Sequence, residues 1–76
     1  MEIFELGERI KKLRKELGLT QEELAKKAGI SRPTLSRIEN GYLGAISAAS
    51  LFKIIASLGY TVEIKPRNPF IKRISE

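Results

Sequence analysis

The sequence predicts a mainly α-helical fold of four to five helices, followed by a short C-terminal β-strand that pairs across a homodimer. Four blocks of apolar residues repeat with the three- to four-residue spacing of one helix face, and a glycine follows each block. After Gly59 the spacing changes to an alternation of two, which is typical of a strand. A chain of 76 residues has room for one small domain with a thin core.

The first predicted helix covers about residues 6–17 and ends at Gly18. Lysines and arginines fall largely between its apolar positions, which indicates one buried face and one charged face. The positions assigned to the buried face are Leu6, Ile10, Leu13 and Leu17.

The second predicted helix covers about residues 21–28 and begins with a capping box that starts at Thr20. In this motif the Thr20 hydroxyl accepts a hydrogen bond from the amide of Glu23, and the Glu23 carboxylate reaches back to the Thr20 amide. Gly29 ends the helix. The residues predicted to face inwards are Leu24, Ala25 and Ala28.

The third predicted helix follows after only three residues, 29–31, and closes at Gly41. Ser31 can cap it, and Pro33 is tolerated in the first turn because the amide of that turn makes no intrahelical bond. Proline also disfavours α geometry at the preceding Arg32, which predicts a helix start one residue later than a Ser31 cap implies. The residues predicted to face inwards are Leu35 and Ile38.

The fourth predicted helix covers about residues 48–58, with Ser47 as its cap and Gly59 after its end. A loop at 42–46 separates it from the third helix. The residues predicted to be buried are Leu51, Ile54, Ile55 and Leu58.

Residues 60–66 are predicted to form a strand, whose backbone polar groups need a partner. One candidate partner is a hairpin return at residues 70–74, and the other is the same strand of a second chain. The hairpin loop would contain Pro66 and Pro69 but no glycine, which suits a tight turn poorly and favours the dimer. The apolar side of the predicted strand consists of Tyr60, Val62 and Ile64.

The composition points to nucleic acid or an anionic surface as a partner, and it argues against an enzyme. The net charge is +5, which suits an anionic ligand. The sequence contains no cysteine or histidine and no clustered carboxylates in a plausible cleft, since Glu22 and Glu23 suit the first turn of a helix, so no catalytic site, metal site or cofactor is expected. No apolar run approaches the ~20 residues that span a bilayer, and the acidic N-terminus is unlike a secretion signal. We therefore expect a cytoplasmic, nucleoid-associated protein without a membrane partner.

A short, glycine-containing connection between two short helices is typical of a helix-turn-helix motif, whose second helix enters the major groove of DNA. Arginine and serine suit base edges, and the N-terminus of the second helix suits a phosphate. The alternative is an ordinary solvated helix face. The residues assigned to DNA on this reasoning are Gln21, Arg32, Pro33, Ser36, Arg37 and Asn40.

Arg14 and Glu39 lie near the ends of the first and third predicted helices, beside apolar residues. They are predicted to form a partly buried ion pair that fixes the orientation of the two helices more than it adds stability. The alternative is two independent surface charges.

The segment LGERIKKLRKELGLTQEELAKKAGISRPTLSRIENG, residues 6–41, resembles the Xre/Cro-type helix-turn-helix domain of phage repressors, and SLFKIIASLG, residues 50–59, is similar to its fourth helix. The resemblance implies that Gln21 holds a phosphate and braces the front of the recognition helix, and that Arg14 and Glu39 form a bridge. It also implies that Thr34 and Asn40 lie near the DNA backbone. The residues it places against the bases are Ser31, Arg32, Pro33, Ser36 and Arg37.

Many members of that family continue into a fifth helix, whereas SLFKIIASLGYTVEI resembles the HipB-type antitoxins. The dimers of those proteins are joined partly by a sheet with one strand from each chain, and they bind a HipA-type kinase toxin and repress their own operon. The predicted function is therefore a homodimeric repressor on a palindromic operator that is also an antitoxin. Two alternatives are a stand-alone regulator and a protein-interaction adaptor.

The predicted organisation has three parts. Residues 1–59 form the DNA-binding domain, residues 60–66 form the dimerisation strand, and residues 67–76 form a basic tail.

Overall fold

The computed structural model describes residues 2–44 and 46–66, and these contain four helices. None of the helices in this part of the chain is long and apolar enough to cross a bilayer. The helices are α1 (Ile3–Glu16), α2 (Gln21–Ala28), α3 (Arg32–Glu39) and α4 (Ala48–Ser57).

Side-chain caps start three of the four helices. The Thr20 hydroxyl accepts a hydrogen bond from the Glu23 amide at 3.0 Å, and the Glu23 carboxylate accepts one from the Thr20 amide at 2.8 Å. This is the predicted capping box. Ser31 and Ser47 cap α3 and α4 with their hydroxyls. These caps satisfy amides that lack a partner within the helix.

The capping box also lowers the pKa of Glu23, because its carboxylate accepts hydrogen bonds from the Thr20 amide and hydroxyl. A lowered pKa in the folded state means that ionised Glu23 favours folding above the ordinary pKa of a glutamate. That contribution is lost as the pH falls through the lowered value.

A glycine with positive φ ends each helix. After α3, Gly41 has a φ of 93°, its amide donates to the Ile38 carbonyl at 3.0 Å, and the Tyr42 amide donates to the Arg37 carbonyl at 2.8 Å. This pair of bonds satisfies carbonyls at the helix end and requires a left-handed residue between them, which glycine adopts at least cost. The same conformation is found at Gly18, Gly29 and Gly59.

The core lies where α2 packs against both α3 and α4 while α1 packs against α3. The alanines of α2 keep side-chain volume low at these contacts, so its neighbours approach closely. The buried core residues are Ile10, Leu24, Ala25, Ala28, Leu35, Ile38, Ile54 and Leu58.

Gly7 marks the close approach of α1 to α3. A Cβ atom at this position would collide with the carbonyl oxygen of Ile38 and would lie 3.2 Å from that of Glu39. Both obstacles are backbone atoms, which cannot rotate away as a flexible side chain can. Glycine is therefore required here by packing, although α1 runs through this position as a regular helix.

The Arg14–Glu39 ion pair joins α1 to α3 beside this contact. The Arg14 Nε donates to Glu39 Oε2 at 2.7 Å, and its Nη2 donates to Oε1 at 3.0 Å. Only 7% of Arg14 and 3% of Glu39 are exposed. The two residues are therefore a buried, bidentate pair, and the alternative of two independent surface charges is wrong.

The first helix differs from its prediction at both ends. It begins at Ile3, without a side-chain cap at Glu2, and it ends at Glu16. Leu17 was assigned to the core but is 54% exposed. The chain leaves the helix at this residue, and Leu19, beyond the glycine turn, packs against the core instead.

The other helices follow their predicted ranges with small changes. Helix α2 has the predicted bounds, and α4 ends one residue early, at Ser57. Helix α3 begins at Arg32 directly after the Ser31 cap, so the later start expected from Pro33 is wrong. Ile55 was expected in the core but is only half-buried.

The predicted C-terminal strand has no partner in the described part of the chain. Residues 60–66 carry no strand or helix, and all of them are exposed. The hairpin return at 70–74 and the basic tail at 67–76 lie outside the described residues. The strand and its pairing therefore stay predictions.

We expect Gly7→Ala to lower the free energy of unfolding by about 1–3 kcal/mol, because the added methyl group overpacks the α1–α3 contact. Thermal unfolding followed by circular dichroism measures the change as a drop in Tm. The control is Gly44→Ala, because Gly44 has no heavy atom within 4 Å of its would-be Cβ and no positive φ. Equal Tm values for the two variants would contradict the packing role of Gly7.

Candidate nucleic-acid interface

The connection between α2 and α3 consists of residues 29–31. Gly29 has a φ of 70°, and the Ile30 amide donates to the Ala25 carbonyl at 3.0 Å. The Ile30 side chain packs against the core, and Ser31 then starts α3. The turn is thus anchored at its centre, which fixes α3 relative to α2 and leaves the start of α3 at the surface.

Helix α3 has one buried side and one exposed side. Leu35 and Ile38 are 0% and 1% exposed, and they attach the helix to the core. On the other side Arg32, Pro33 and Arg37 are exposed, and Ser36 is half-buried. The predicted outward face of this helix is therefore present in the structure.

Arg32 and Arg37 make no hydrogen bond or ion pair through their side chains to the described part of the chain. Within those described residues, no acceptor uses the N–H donors of either guanidinium group. A guanidinium offers two parallel donors to guanine O6 and N7, or to a phosphate. The outer face of α3 thus carries two positive charges with unused hydrogen-bonding capacity.

Thr34 and Asn40 use their side chains within α3. The Thr34 hydroxyl lies 2.8 Å from that of Ser31, and the Asn40 amide donates to the Ser36 carbonyl at 2.8 Å. Asn40 is exposed, whereas Thr34 is half-buried. These two residues stabilise the ends of the helix with side-chain hydrogen bonds, whereas the two arginines make none to the described residues.

Gln21 is the first residue of α2, and its amide Nε2 donates to Glu39 Oε1 at 3.0 Å. The resemblance implied that this residue braces the front of the recognition helix. The described hydrogen bonds instead join it to the last residue of α3. Glu39 therefore receives hydrogen bonds from two helices, through Arg14 of α1 and Gln21 of α2.

Arg14 is held at a further point, since its Nη1 donates to the carbonyl oxygen of Leu19 at 2.8 Å. Every buried side-chain nitrogen and oxygen in the described ranges has a hydrogen-bond partner. Sequence reasoning predicted the ion pair but missed the bonds from Gln21 to Glu39 and from Arg14 to Leu19. Both depend on how the helices meet in space, which no local pattern specifies.

A second surface lies along α4 and the segment after it. Phe52 is 54% exposed, and Ile64 is 100% exposed. Sequence reasoning did not select Phe52, although a phenylalanine outside the positions predicted to be buried in this helix was a usable signal. The side chains of this surface form a groove, here called the α4–tail groove. It is lined by Phe52, Ile55, Ala56, Tyr60, Thr61 and Val62.

Neither surface has the chemistry of a metal site. Within residues 2–44 and 46–66, no group of three side chains from histidine, cysteine, aspartate and glutamate could hold a metal ion. What the α3 face offers is positive charge, hydrogen-bond donors and a rigid helix.

A sequence profile described as helix-turn-helix matches residues 10–65, which is well over half of the chain. A protein of Methanothermobacter thermautotrophicus, named an uncharacterized HTH-type transcriptional regulator, is 56% identical over 32 residues. These are 42% of this chain and 46% of that protein. The chain spans about half the length of the curated relatives it matches.

Two solved structures are similar over most of the chain. HipB in the HipA-HipB-O2-O3 complex is 32% identical, with a TM-score of 0.77 over 90% of this chain and 94% of that chain. SinR, the master regulator for biofilm formation, in complex with DNA, is 41% identical, with a TM-score of 0.66 over 74% of this chain and 89% of that chain.

The profile match, the capped helices around a glycine turn and the exposed face of α3 agree with one another. This chain belongs to the Xre-type helix-turn-helix family of transcriptional regulators.

Proposed function

We propose that this chain is a sequence-specific DNA-binding repressor that acts as a homodimer. The observation that carries the proposal is the outer face of α3, where Arg32 and Arg37 are exposed and unengaged on a helix fixed to the core. Base reading requires side chains that reach the groove from a rigid support, because a mobile support would add an ordering cost to binding.

The residues of α3 divide into two roles. Arg32, Arg37 and Ser36 are the base readers, since their groups match the donors and acceptors of the major groove. Pro33 presents an apolar surface suited to a thymine methyl group. Ser31 lies at the same end of the helix. Thr34 and Asn40 approach the DNA backbone while they hold the helix ends together.

Phosphate contacts supply much of the affinity in this proposal. Gln21 opens α2, where the first two amides have no partner within the helix and can face an anion, while the third donates to Thr20. The net charge of +5 adds a favourable long-range attraction. DNA binding should therefore weaken steeply as salt is added, because phosphate contacts release counterions.

The homodimer is supported by exposed apolar side chains in the segment after Gly59. Tyr60, Val62 and Ile64 recur at every second residue and are 55%, 50% and 100% exposed. A second copy in antiparallel register would cover these side chains and pair their backbone groups. Two-fold symmetry then calls for a palindromic operator with half-sites about one helical turn, ~34 Å, apart.

We propose further that the chain is the antitoxin of a HipA/HipB-type pair that represses its own operon. The support is the similarity to HipB, which extends over 90% of this chain, compared with 74% for SinR. An alignment of that length includes part of the segment after Gly59. The partner would be a HipA-type kinase toxin.

A stand-alone regulator without a toxin is the second candidate, in which the segment 60–66 serves dimerisation alone. A protein-interaction adaptor is disfavoured by the two unengaged arginines on α3, which such a role does not need. An enzyme is disfavoured because two curated relatives are named HTH-type transcriptional regulators.

We expect Arg32→Ala to weaken operator binding by about 1–3 kcal/mol and to relax base preference at one position, because it removes a bidentate contact to guanine. Fluorescence anisotropy with a duplex selected from a random library by the wild-type chain measures both effects. The matched control is Arg9→Ala, which removes the same charge from an exposed position of α1. Equal losses for the two variants would mean that Arg32 acts only through charge.

We expect Ile64→Ser to raise the dimer dissociation constant about tenfold or more, because the dimer loses two buried isoleucine side chains. The control is Lys65→Ser, at the adjacent exposed position, whose ion pair with Glu63 at 3.7 Å is solvated and contributes little. Sedimentation equilibrium over a range of concentrations compares them. An unchanged dissociation constant for Ile64→Ser would remove the role assigned to this side chain.

We expect a kinase-like protein encoded beside this chain to co-purify with it when the two are produced together, and the complex to retain operator binding. The comparison is the Ile64→Ser and Arg32→Ala variants, which should separate dimer-dependent from DNA-dependent behaviour. If such a neighbour is produced in folded form and fails to bind, the stand-alone regulator is the correct assignment.

A further inference from the structure

We propose that Glu39 is a positioning residue for DNA binding. Its buried carboxylate fixes the orientation of the Gln21 amide, so that this amide presents its second N–H to a DNA phosphate. The proposal rests on the DNA binding proposed above, and it assigns to the buried Arg14–Glu39 pair a part in that binding.

Glu39 determines which end of the Gln21 side-chain amide faces it. A glutamine side chain can present either its oxygen or its nitrogen, and the two are nearly equal in shape. Glu39 Oε1, which lies 3.0 Å from the amide nitrogen, belongs to a carboxylate held in a bidentate pair with Arg14. An ionised carboxylate only accepts hydrogen bonds, so the amide must turn its nitrogen towards Glu39.

The Glu39 carboxylate is held rigidly in place. Glu39 is 3% exposed and accepts hydrogen bonds from Arg14 Nε and Nη2 in addition to the one from Gln21. Arg14 is held in turn by the carbonyl oxygen of Leu19. The acceptor that orients Gln21 therefore cannot rotate away, and the side chain is ordered before DNA arrives. Ordering in advance lowers the cost of binding.

The Gln21 amide also retains an N–H donor for DNA. One N–H of Gln21 is used by Glu39, and the described residues provide no partner for the second. The side chain is partly exposed at the first position of α2, where the backbone amides are also free of intrahelical bonds. A phosphate oxygen placed there can accept from the side chain and from the backbone together.

An oriented amide matters at this helix end because the local charges oppose an anion. Glu22 and Glu23 both lie in the first turn of α2, and Glu23 is engaged with Thr20. The helix dipole is thus partly offset by two nearby negative charges. A neutral donor in a fixed position attracts a phosphate without depending on the net charge of the turn.

The hydrogen bond between Gln21 and Glu39 also links the proposed phosphate contact to the proposed base contacts. Glu39 is the last residue of α3, and Gln21 is the first residue of α2. A hydrogen bond between them fixes the phosphate-binding group relative to the helix that carries Arg32 and Arg37. We therefore expect the phosphate contact and the base contacts to be met by one rigid unit.

The test is a double-mutant cycle between Gln21 and the ion pair. Gln21→Ala should weaken binding about tenfold for both a selected duplex and an unrelated duplex of equal length, as expected for loss of a phosphate contact. Arg14→Met with Glu39→Met removes the acceptor while it keeps the volume apolar, and it should weaken binding to a similar extent. Adding Gln21→Ala to that pair should then cause no further loss.

The matched control is Arg14→Gln with Glu39→Gln, which also removes both charges but keeps an acceptor oxygen at position 39. It should recover most of the affinity lost with the two methionines. A purely structural role would make the losses from Gln21→Ala and from the methionine pair multiply, and that result would overturn the proposal. Thermal unfolding confirms that each variant is folded at the temperature of the binding measurement.

A second measurement applies to the wild-type chain, in case the double variants do not fold. The sequence contains one glutamine, so the side-chain amide signals of Gln21 can be assigned without ambiguity in a nitrogen-15 spectrum. Addition of the selected duplex should shift the two Nε2 proton signals unequally, with the larger shift on the proton that does not face Glu39. Signals that do not move would overturn the proposal.

The binding measurements distinguish failure of the positioning role from failure of the proposed DNA binding. A wild-type chain that selects no duplex from the library rejects DNA binding as a whole. A chain that binds the duplex while Gln21→Ala keeps wild-type affinity rejects the positioning role alone.

Discussion

The rest of the structure depends on one buried carboxylate. Glu39 receives hydrogen bonds from Arg14 of α1 and Gln21 of α2, and it ends α3. Burying a charge is costly, and a buried ion pair rarely adds net stability, but breaking one by removing a single partner costs about 3–5 kcal/mol. The network therefore acts as a constraint on geometry: helix arrangements that separate these three side chains leave an unpaired buried charge.

The elements that could be predicted from the sequence are those decided by neighbouring residues. The capping box at Thr20 and the glycine that follows each helix are local, and the structure contains them at the predicted positions. Leu17 was assigned to the core because its spacing continues the helix face, but the chain turns away at that residue. The partnership of Gln21 with Glu39 was not foreseen either, because it depends on contacts between residues 18 positions apart.

The segment after Gly59 shows a different limit of sequence reasoning. Its alternating pattern identifies which side chains share a face, but a strand exists only when its backbone finds a partner. Within the described residues of one chain no such partner is present, and Ile64 is fully exposed. The predicted strand therefore stays a prediction, because both of its candidate partners, residues 70–74 and a second chain, lie outside the described residues.

The internal hydrogen bonds also determine which residues near α3 can be substituted without disturbing the others. Arg32 and Arg37 have no side-chain partners in the described ranges, so substitutions there change the face proposed to read DNA and leave the core intact. Gln21, Arg14 and Glu39 share one network, so a change in any of them alters the contacts that hold the first residue of α2, where we propose a phosphate contact. Base preference can therefore vary on this scaffold by exchange of the unengaged residues, whereas the network that holds them in place must change as a unit.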